Sequence, residues 1–382
     1  MGAIWRLLAP PIMSIIPISS ETMHSIAMKK LRVRSNFIPG YRGLLSLFFS
    51  SPPVKTEVFG IEFDNPVGLA AGMDKKGENI PNWEHLGFGW IEIGGITLHA
   101  QEGNPKPRMF RSNKHKALIN RMGFNNLGSE EMVQRLTIQK KKRWASIPIA
   151  INLGKSKITP NDQAEEDYAG TMECLWEFAD MFVVNVSSPN TPNLRKLQDE
   201  SELARILTSC NKVNSRMADI TGKNTKPLLV KVSPDLSDNE LLSVADIAIF
   251  HGCAGIVATN TTIARPDEDK VLNEAGGLSG KPLCVRSTEV IHLLYSHTEG
   301  KLPIIGVGGI SDSETAWEKI CAGASLLQLY SSLIFEGPGV NKSINNGLIK
   351  KLNEYGYNSL SEAVGHAHRE NPKLNLKSNL KE

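Results

Sequence analysis

Eight short apolar runs, separated along the chain by helix-compatible segments, constrain its fold more than any other feature. The first four are residues 67–70, 90–97, 147–153 and 181–187; the last four are 228–233, 255–261, 303–308 and 325–331. Runs such as Phe182 to Val186 are rich in β-branched residues, as expected of parallel strands covered on both faces. Eight β/α units in 382 residues point to an α/β chain folded as a (β/α)8 TIM barrel. A doubly wound sheet is the alternative, but no glycine fingerprint follows the first run with an acidic residue about 20 positions on. Residues 57–63 read as a small hairpin ahead of the barrel. Residues 99–126, rich in Pro, Arg and Asn, are too long for an ordinary βα loop and are expected to form a subdomain over the barrel mouth.

The N-terminal part differs from the rest. Residues 1–57 hold seven basic and two acidic residues, a net +5, whereas the whole chain holds 43 basic and 40 acidic. This near balance gives no general electrostatic support for nucleic acid binding. Residues 3–16 are apolar but broken by Pro10 and Pro11. Met23, Ile26, Ala27 and Leu31 then recur at helical spacing, with Lys29, Lys30, Arg32 and Arg34 mostly elsewhere on the wheel. Two short amphipathic helices are expected, lying in a membrane interface; ordinary packing on the main domain is the alternative. Leu44 to Phe49 adds apolar surface nearby. No run of 18 apolar residues is present. The expected division is a helical extension over 1–45, a barrel over 46–370 and a polar tail over 371–382. Met1 need not be the native terminus, since a targeting segment could have been removed. Five scattered cysteines without CxxC spacing argue against zinc and against a disulfide framework. The basic run Lys140 to Arg143 resembles an insertion, read as a solvated helix end or as a contact for a partner or membrane.

Polar residues gather where the apolar runs end. Asn152 closes the third run. The fourth breaks into Asn185, Ser188 and Asn190, and the sixth ends in Thr259, Asn260 and Thr261. Lys75 follows the first run. The C-terminal ends of barrel strands are where this fold keeps its chemistry, although the segment 183–191 taken alone is also a plain strand end with an Asn/Ser turn. Lys231 stands inside the fifth run, where a cation is costly without an anionic partner. A buried carboxylate is the structural alternative to a ligand. Two glycine-rich turns, Gly276 to Gly280 and Gly306 to Gly309, would let backbone N–H groups approach a mononucleotide phosphate.

Taken together, these runs resemble dihydroorotate dehydrogenase, class 2, the membrane-associated and quinone-linked form. The resemblance rests on Asn65 to Lys75, Ile119 to Asn126, Asn152 to Lys155, Asn185 to Thr191, Thr259 to Thr262, Gly277 to Leu283 and Ile305 to Ile310, and covers roughly residues 10–370. It implies FMN as cofactor, L-dihydroorotate oxidised to orotate in UMP synthesis, ubiquinone as final acceptor and a place at the mitochondrial inner membrane. It makes Ser188 the catalytic base. Class 1 members use a cysteine, and none lies in that loop. Substrate would be held by Lys75, Asn120, Asn185, Asn190, Asn260 and Thr261, with the run Arg121, Met122, Gly123 and Phe124. The flavin ring and phosphate would be cradled by Ala70, Ala71, Gly72, Lys75, Gly95, Asn120, Asn152, Asn185, Lys231, Thr259, Ser279, Gly280, Gly308, Gly309, Tyr330 and Ser331. His24, Arg111 and Tyr330 would contact the quinone head, and no metal is implied. Two positions depart from the family. Gly95 stands where Ser or Thr is usual, and the polar residue one turn before His24 is replaced near Ser14 to Ile16. A soluble class 1 enzyme using fumarate or NAD is the competing enzymatic reading. A catalytically silent FMN-binding scaffold tethered to a membrane is the non-enzymatic one.

Overall fold

The computed structural model describes residues 19–142, 144–190, 194–265 and 272–370. The expectations placed on residues 3–16, on Thr191 and on the tail 371–382 lie outside them. The described strands are, in chain order, β1 (Thr56–Val58), β2 (Ile61–Phe63), β3 (Val67–Leu69), β4 (Trp90–Ile96), β5 (Met109–Ser112), β6 (Ala117–Asn120) and β7 (Ile149–Leu153). They continue with β8 (Met181–Asn185), β9 (Leu228–Val232), β10 (Gly255–Ala258), β11 (Gly277–Gly280), β12 (Ile304–Val307) and β13 (Ala324–Leu329). Strands β3, β4, β7, β8, β9, β10, β12 and β13 close a parallel barrel in that order. All eight expected strands are present, each a residue or a few shorter than its apolar run.

Alternation along each strand divides the core in two. Outward residues such as Ile91, Ile151, Val184 and Val230 pack under the surrounding helices. Inward residues Trp90, Ala150, Met181, Val183, Leu229, Val257 and Leu326 fill the barrel floor, and Val58 and Phe63 of the β1–β2 hairpin plug it from below. Gly68 makes room for the Trp90 indole of this floor, since a Cβ there would lie 2.2 Å from it. Higher up, the interior turns polar at Glu92, Asn152, Asn185, Lys231 and Gln328, all buried. The site therefore stands on a rigid apolar floor.

Residues 99–126 do form a cover over the mouth, through the antiparallel pair β5–β6. Its third strand is β11, which pairs antiparallel with β6. The segment read as a glycine-rich turn is thus mostly strand. Glycine is required there for a packing reason: a Cβ on Gly277 would collide with Thr261 Oγ1 at 1.9 Å.

A helix over Ser20–Phe37 lies against this cover, capped by Ser19 Oγ accepting from the Thr22 amide. Arg108 donates to the Glu21 carboxylate at 2.8 Å, and Arg32 pairs with Glu78 at 3.0 Å. A second helix, Tyr41–Phe49, crosses the expected boundary at residue 45. It buries Leu45 but leaves Leu47 72% exposed, and Phe37 of the preceding helix is 79% exposed. Lys140, Lys141 and Lys142 form the last turn of the helix Gly128–Lys142. They are exposed and favourably placed at its carbonyl end.

Candidate functional site

The C-terminal ends of the barrel strands and the β5–β6–β11 cover enclose one cavity. Five asparagines and a serine occupy its centre. Asn152 is the penultimate residue of β7 and Asn185 ends β8, where Asn185 is paired in register with Lys231 of β9. Asn185 Nδ2 donates to Asn152 Oδ1 at 3.0 Å, and Asn260 Nδ2 donates to Asn185 Oδ1 at 3.2 Å. From the cover, Asn120 Oδ1 accepts from Asn190 Nδ2 at 3.1 Å. Ser188, 8% exposed, sits in the loop after β8, and its Oγ accepts from the Asn190 amide at 3.3 Å. No histidine or carboxylate hydrogen-bonds this hydroxyl among the described residues. None of the five cysteines lines the cavity.

Two lysines face this amide-rich space. Lys75 Nζ donates to Asn125 Oδ1 at 2.6 Å. Burial, and then the nearby Arg108 guanidinium, push the Lys75 ammonium down to about 7, while Glu21 partly restores it. Lys231 is 5% exposed, with no ion pair or hydrogen bond to its ammonium among the described residues. The alternative of a carboxylate-paired core lysine is therefore not what the barrel contains.

One wall is backbone. Gly308 and Gly309 follow β12 with φ of +122° and +72°, and a Cβ on Gly309 would lie 2.4 Å from Cys284 Cβ. Gly280, also at positive φ, with Ser279, Tyr330 and Ser331, completes this end. Burial pushes the Tyr330 phenol up to about 12, so it remains protonated. Ala70, Ala71, Gly72, Gly95 and Thr259 border the middle. The geometry accounts for the glycine at 95: a Cβ there would meet the Phe124 ring at 2.7 Å and Asn152 Oδ1 at 2.9 Å.

Most residues singled out in the sequence thus line one cavity, Met122, Gly123, Phe124 and Thr261 included. Arg121 does not. It pairs with Glu274 at 2.7 Å and stacks over Phe110 at 4.5 Å, which turns it away from the cavity. His24 lines a second cavity between the Ser20–Phe37 helix and the barrel mouth, Arg111 reaches Met23 Sδ at 3.6 Å, and Tyr330 lines the first cavity. Burial and the Lys75 charge hold the His24 imidazole below its usual range. Gly72, Lys75 and Met122 border both cavities. Two interior residues escaped the sequence reading. Gln328 lines the first cavity, and Glu92 lies in its floor. A charged residue inside the apolar run Trp90 to Ile93 was the available signal.

Among the described residues no group of three His, Cys, Asp or Glu side chains converges as a metal site.

The family model for dihydroorotate dehydrogenase matches residues 53–352. The chain is 50% identical to a protein of Crocosphaera subtropica named dihydroorotate dehydrogenase (quinone), over 84% of this chain and 85% of that one. It is 44% identical to a protein of the same name from Acaryochloris marina, over 94% and 98% of the two chains. The crystal structure of DHODH from Eimeria tenella in complex with ferulenol superposes with a TM-score of 0.85 at 36% identity, covering 93% of this chain and 96% of that one.

Proposed function

The chain belongs to the dihydroorotate dehydrogenase family, and from that premise we propose that the barrel mouth binds FMN and oxidises L-dihydroorotate to orotate, with Ser188 as base and a quinone as final electron acceptor. The observation that carries this reading is the unpaired Lys231 ammonium, buried within the barrel beside Asn185. A buried cation without a counterion calls for an electron-rich partner supplied from outside the chain. Gln328 Oε1, equally buried and without a hydrogen-bond partner, is a second open polar group in the same cavity. The glycine wall at 308–309 suits a phosphate, because both residues line the cavity and neither carries a side chain that would hold a ligand off the backbone.

When bound, FMN supplies a hydride acceptor and a two-electron store that a quinone later empties. Lys231 would hold the flavin ring, where its ammonium would offset negative charge. Asn120, Asn185, Asn190 and Asn260 hold the ring amides of the substrate, and Lys75 holds its carboxylate. Ser188 Oγ takes the proton from C5 as a hydride leaves C6, so that the C5–C6 single bond becomes the double bond of orotate. This assignment is favoured over the class 1 reading by the serine in the loop after β8 and the absence of cysteine from the cavity. A silent scaffold would have no use for Ser188 and Lys231.

Lys231→Ala is expected to purify with little or no FMN, or with flavin of altered midpoint potential. Absorbance of the purified protein and a redox titration check this. Full flavin occupancy at the wild-type potential would remove Lys231 from the role.

Lys75 sets a pH dependence. Its lowered range means that the cationic form becomes scarce above about 7. Only that form pairs with a carboxylate, so orotate affinity should fall by about tenfold per pH unit at the limit. The dissociation constant, followed through the flavin spectrum from pH 6 to 9, tests this, and Lys75→Arg should flatten the profile. A flat wild-type profile would exclude Lys75 as the carboxylate's cation.

Among the described residues no helix is long and apolar enough to cross a membrane. The proposal places the Ser20–Phe37 and Tyr41–Phe49 helices on a membrane surface, supported by the exposed Phe37, Leu44, Leu47 and Phe48 beside basic side chains. The mitochondrial expectation is not supported, since the quinone-linked relatives compared above are cyanobacterial proteins. Dihydroorotate-driven bleaching of the flavin, reversed by a quinone analogue and not by fumarate, tests the function as a whole.

A further inference from the structure

We propose that Glu92 is a positioning residue that sets the direction of the asparagine amides in the barrel mouth, and through them the donor and acceptor pattern offered to the substrate ring. This rests on reading the cavity as the dihydroorotate site.

Glu92 lies in the middle of β4 and is fully buried. A carboxylate in such a place is costly unless its lone pairs are used. Both oxygens are engaged: Asn152 Nδ2 donates to Oε1 at 2.6 Å, and Gln328 Nε2 donates to Oε2. No cation pairs with it among the described residues. A carboxylate only accepts, whereas a side-chain amide can turn over and exchange its donor and acceptor ends. Glu92 therefore compels Asn152 to spend its N–H on the floor, which leaves Asn152 Oδ1 facing up. That oxygen takes the N–H of Asn185 at 3.0 Å. Asn185 Oδ1 in turn accepts from Asn260 Nδ2 at 3.2 Å and from Ser187 Oγ at 3.1 Å. Asn260 Oδ1 takes the Thr261 amide at 2.8 Å. The chain runs one way from floor to rim. With an amide at position 92 either direction would satisfy the floor, and the rim would lose its fixed polarity. A pyrimidinedione ring alternates N–H and C=O groups, so a reversed asparagine would set like against like.

Glu92→Gln keeps size and shape. The expected variant retains FMN and a near wild-type Tm but binds orotate about tenfold more weakly, the cost of one unmet hydrogen bond in a buried site. A double-mutant cycle separates direction from packing. Asn185→Asp alone sets a carboxylate against Asn152 Oδ1, which Glu92 holds in place, so two acceptors meet. Tm and FMN retention should both fall. Adding Glu92→Gln lets Asn152 turn over: its N–H groups serve the new carboxylate, and its oxygen accepts from the introduced amide, whose own oxygen still accepts from Gln328. Tm and FMN retention should therefore recover in the double variant relative to Asn185→Asp, even if Glu92→Gln alone folds poorly. Wild-type orotate affinity in Glu92→Gln, or simply additive losses in the double variant, would overturn the proposal. The cycle is read without substrate, so a wild-type protein that fails to bind orotate would refute the reading of the cavity and leave the test of Glu92 standing.

Discussion

Ser188→Ala is expected to give a folded, yellow protein whose flavin is reduced by dihydroorotate about 10²–10⁴-fold more slowly, the usual contribution of a positioned general base. Position makes the case. Ser188 is buried in the loop that follows β8, and it lines the same cavity as Asn185 and Asn190. Its Oγ accepts the Asn190 amide, which orients a lone pair without supplying a proton acceptor. With no imidazole or carboxylate hydrogen-bonded to it among the described residues, the hydroxyl is a weak base at neutral pH. The wild-type reduction rate should therefore climb with pH, and the alanine variant should lose that climb together with the rate. Stopped-flow mixing with excess dihydroorotate, followed at the flavin absorbance, measures both. An alanine variant reduced at the wild-type rate would exclude Ser188 as the base. Orotate affinity serves as the control, since the alanine change leaves in place the asparagines proposed to hold the ring.

The barrel was legible because parallel strands buried on both faces must be apolar along their whole length, and few other structures impose that eight times in 382 residues. The site was legible for the complementary reason. Asn152, Asn185, Lys231 and Asn260 interrupt or end those runs with groups that a core would not otherwise tolerate. What escaped the reading depends on pairing across long sequence separations. Gly277 to Gly280 pairs with β6, about 160 positions earlier, and composition alone reads the segment as a turn. Arg121 lies within a run of cavity residues, yet Glu274 and Phe110 draw it outward. Glu92 was hidden by its context. One carboxylate in an apolar run reads as an outward-facing residue until the register shows that it points inward.

Removal of residues 1–40 is expected to spare reduction of the flavin by dihydroorotate while abolishing its reoxidation by a long-tailed quinone and weakening the binding of liposomes. A lipid-soluble oxidant needs a route to the flavin separate from the substrate's polar entrance. The Ser20–Phe37 helix covers a second cavity that meets the first at Gly72, Lys75 and Met122, and His24 faces it as a neutral imidazole able to hydrogen-bond a quinone oxygen. The same helix and its neighbour expose Phe37, Leu47 and Phe48, the surface that would rest in the lipid interface. Loss of the helix also frees Arg108 from Glu21, and that cation sits close enough to Lys75 to depress its charge. Orotate affinity in the truncated protein should therefore change modestly, whereas quinone turnover should disappear. Parallel assays with dihydroorotate alone, with a short soluble quinone and with a long-tailed quinone in liposomes separate these effects. Full turnover of the long-tailed quinone by the truncated protein would show that electrons leave by another route.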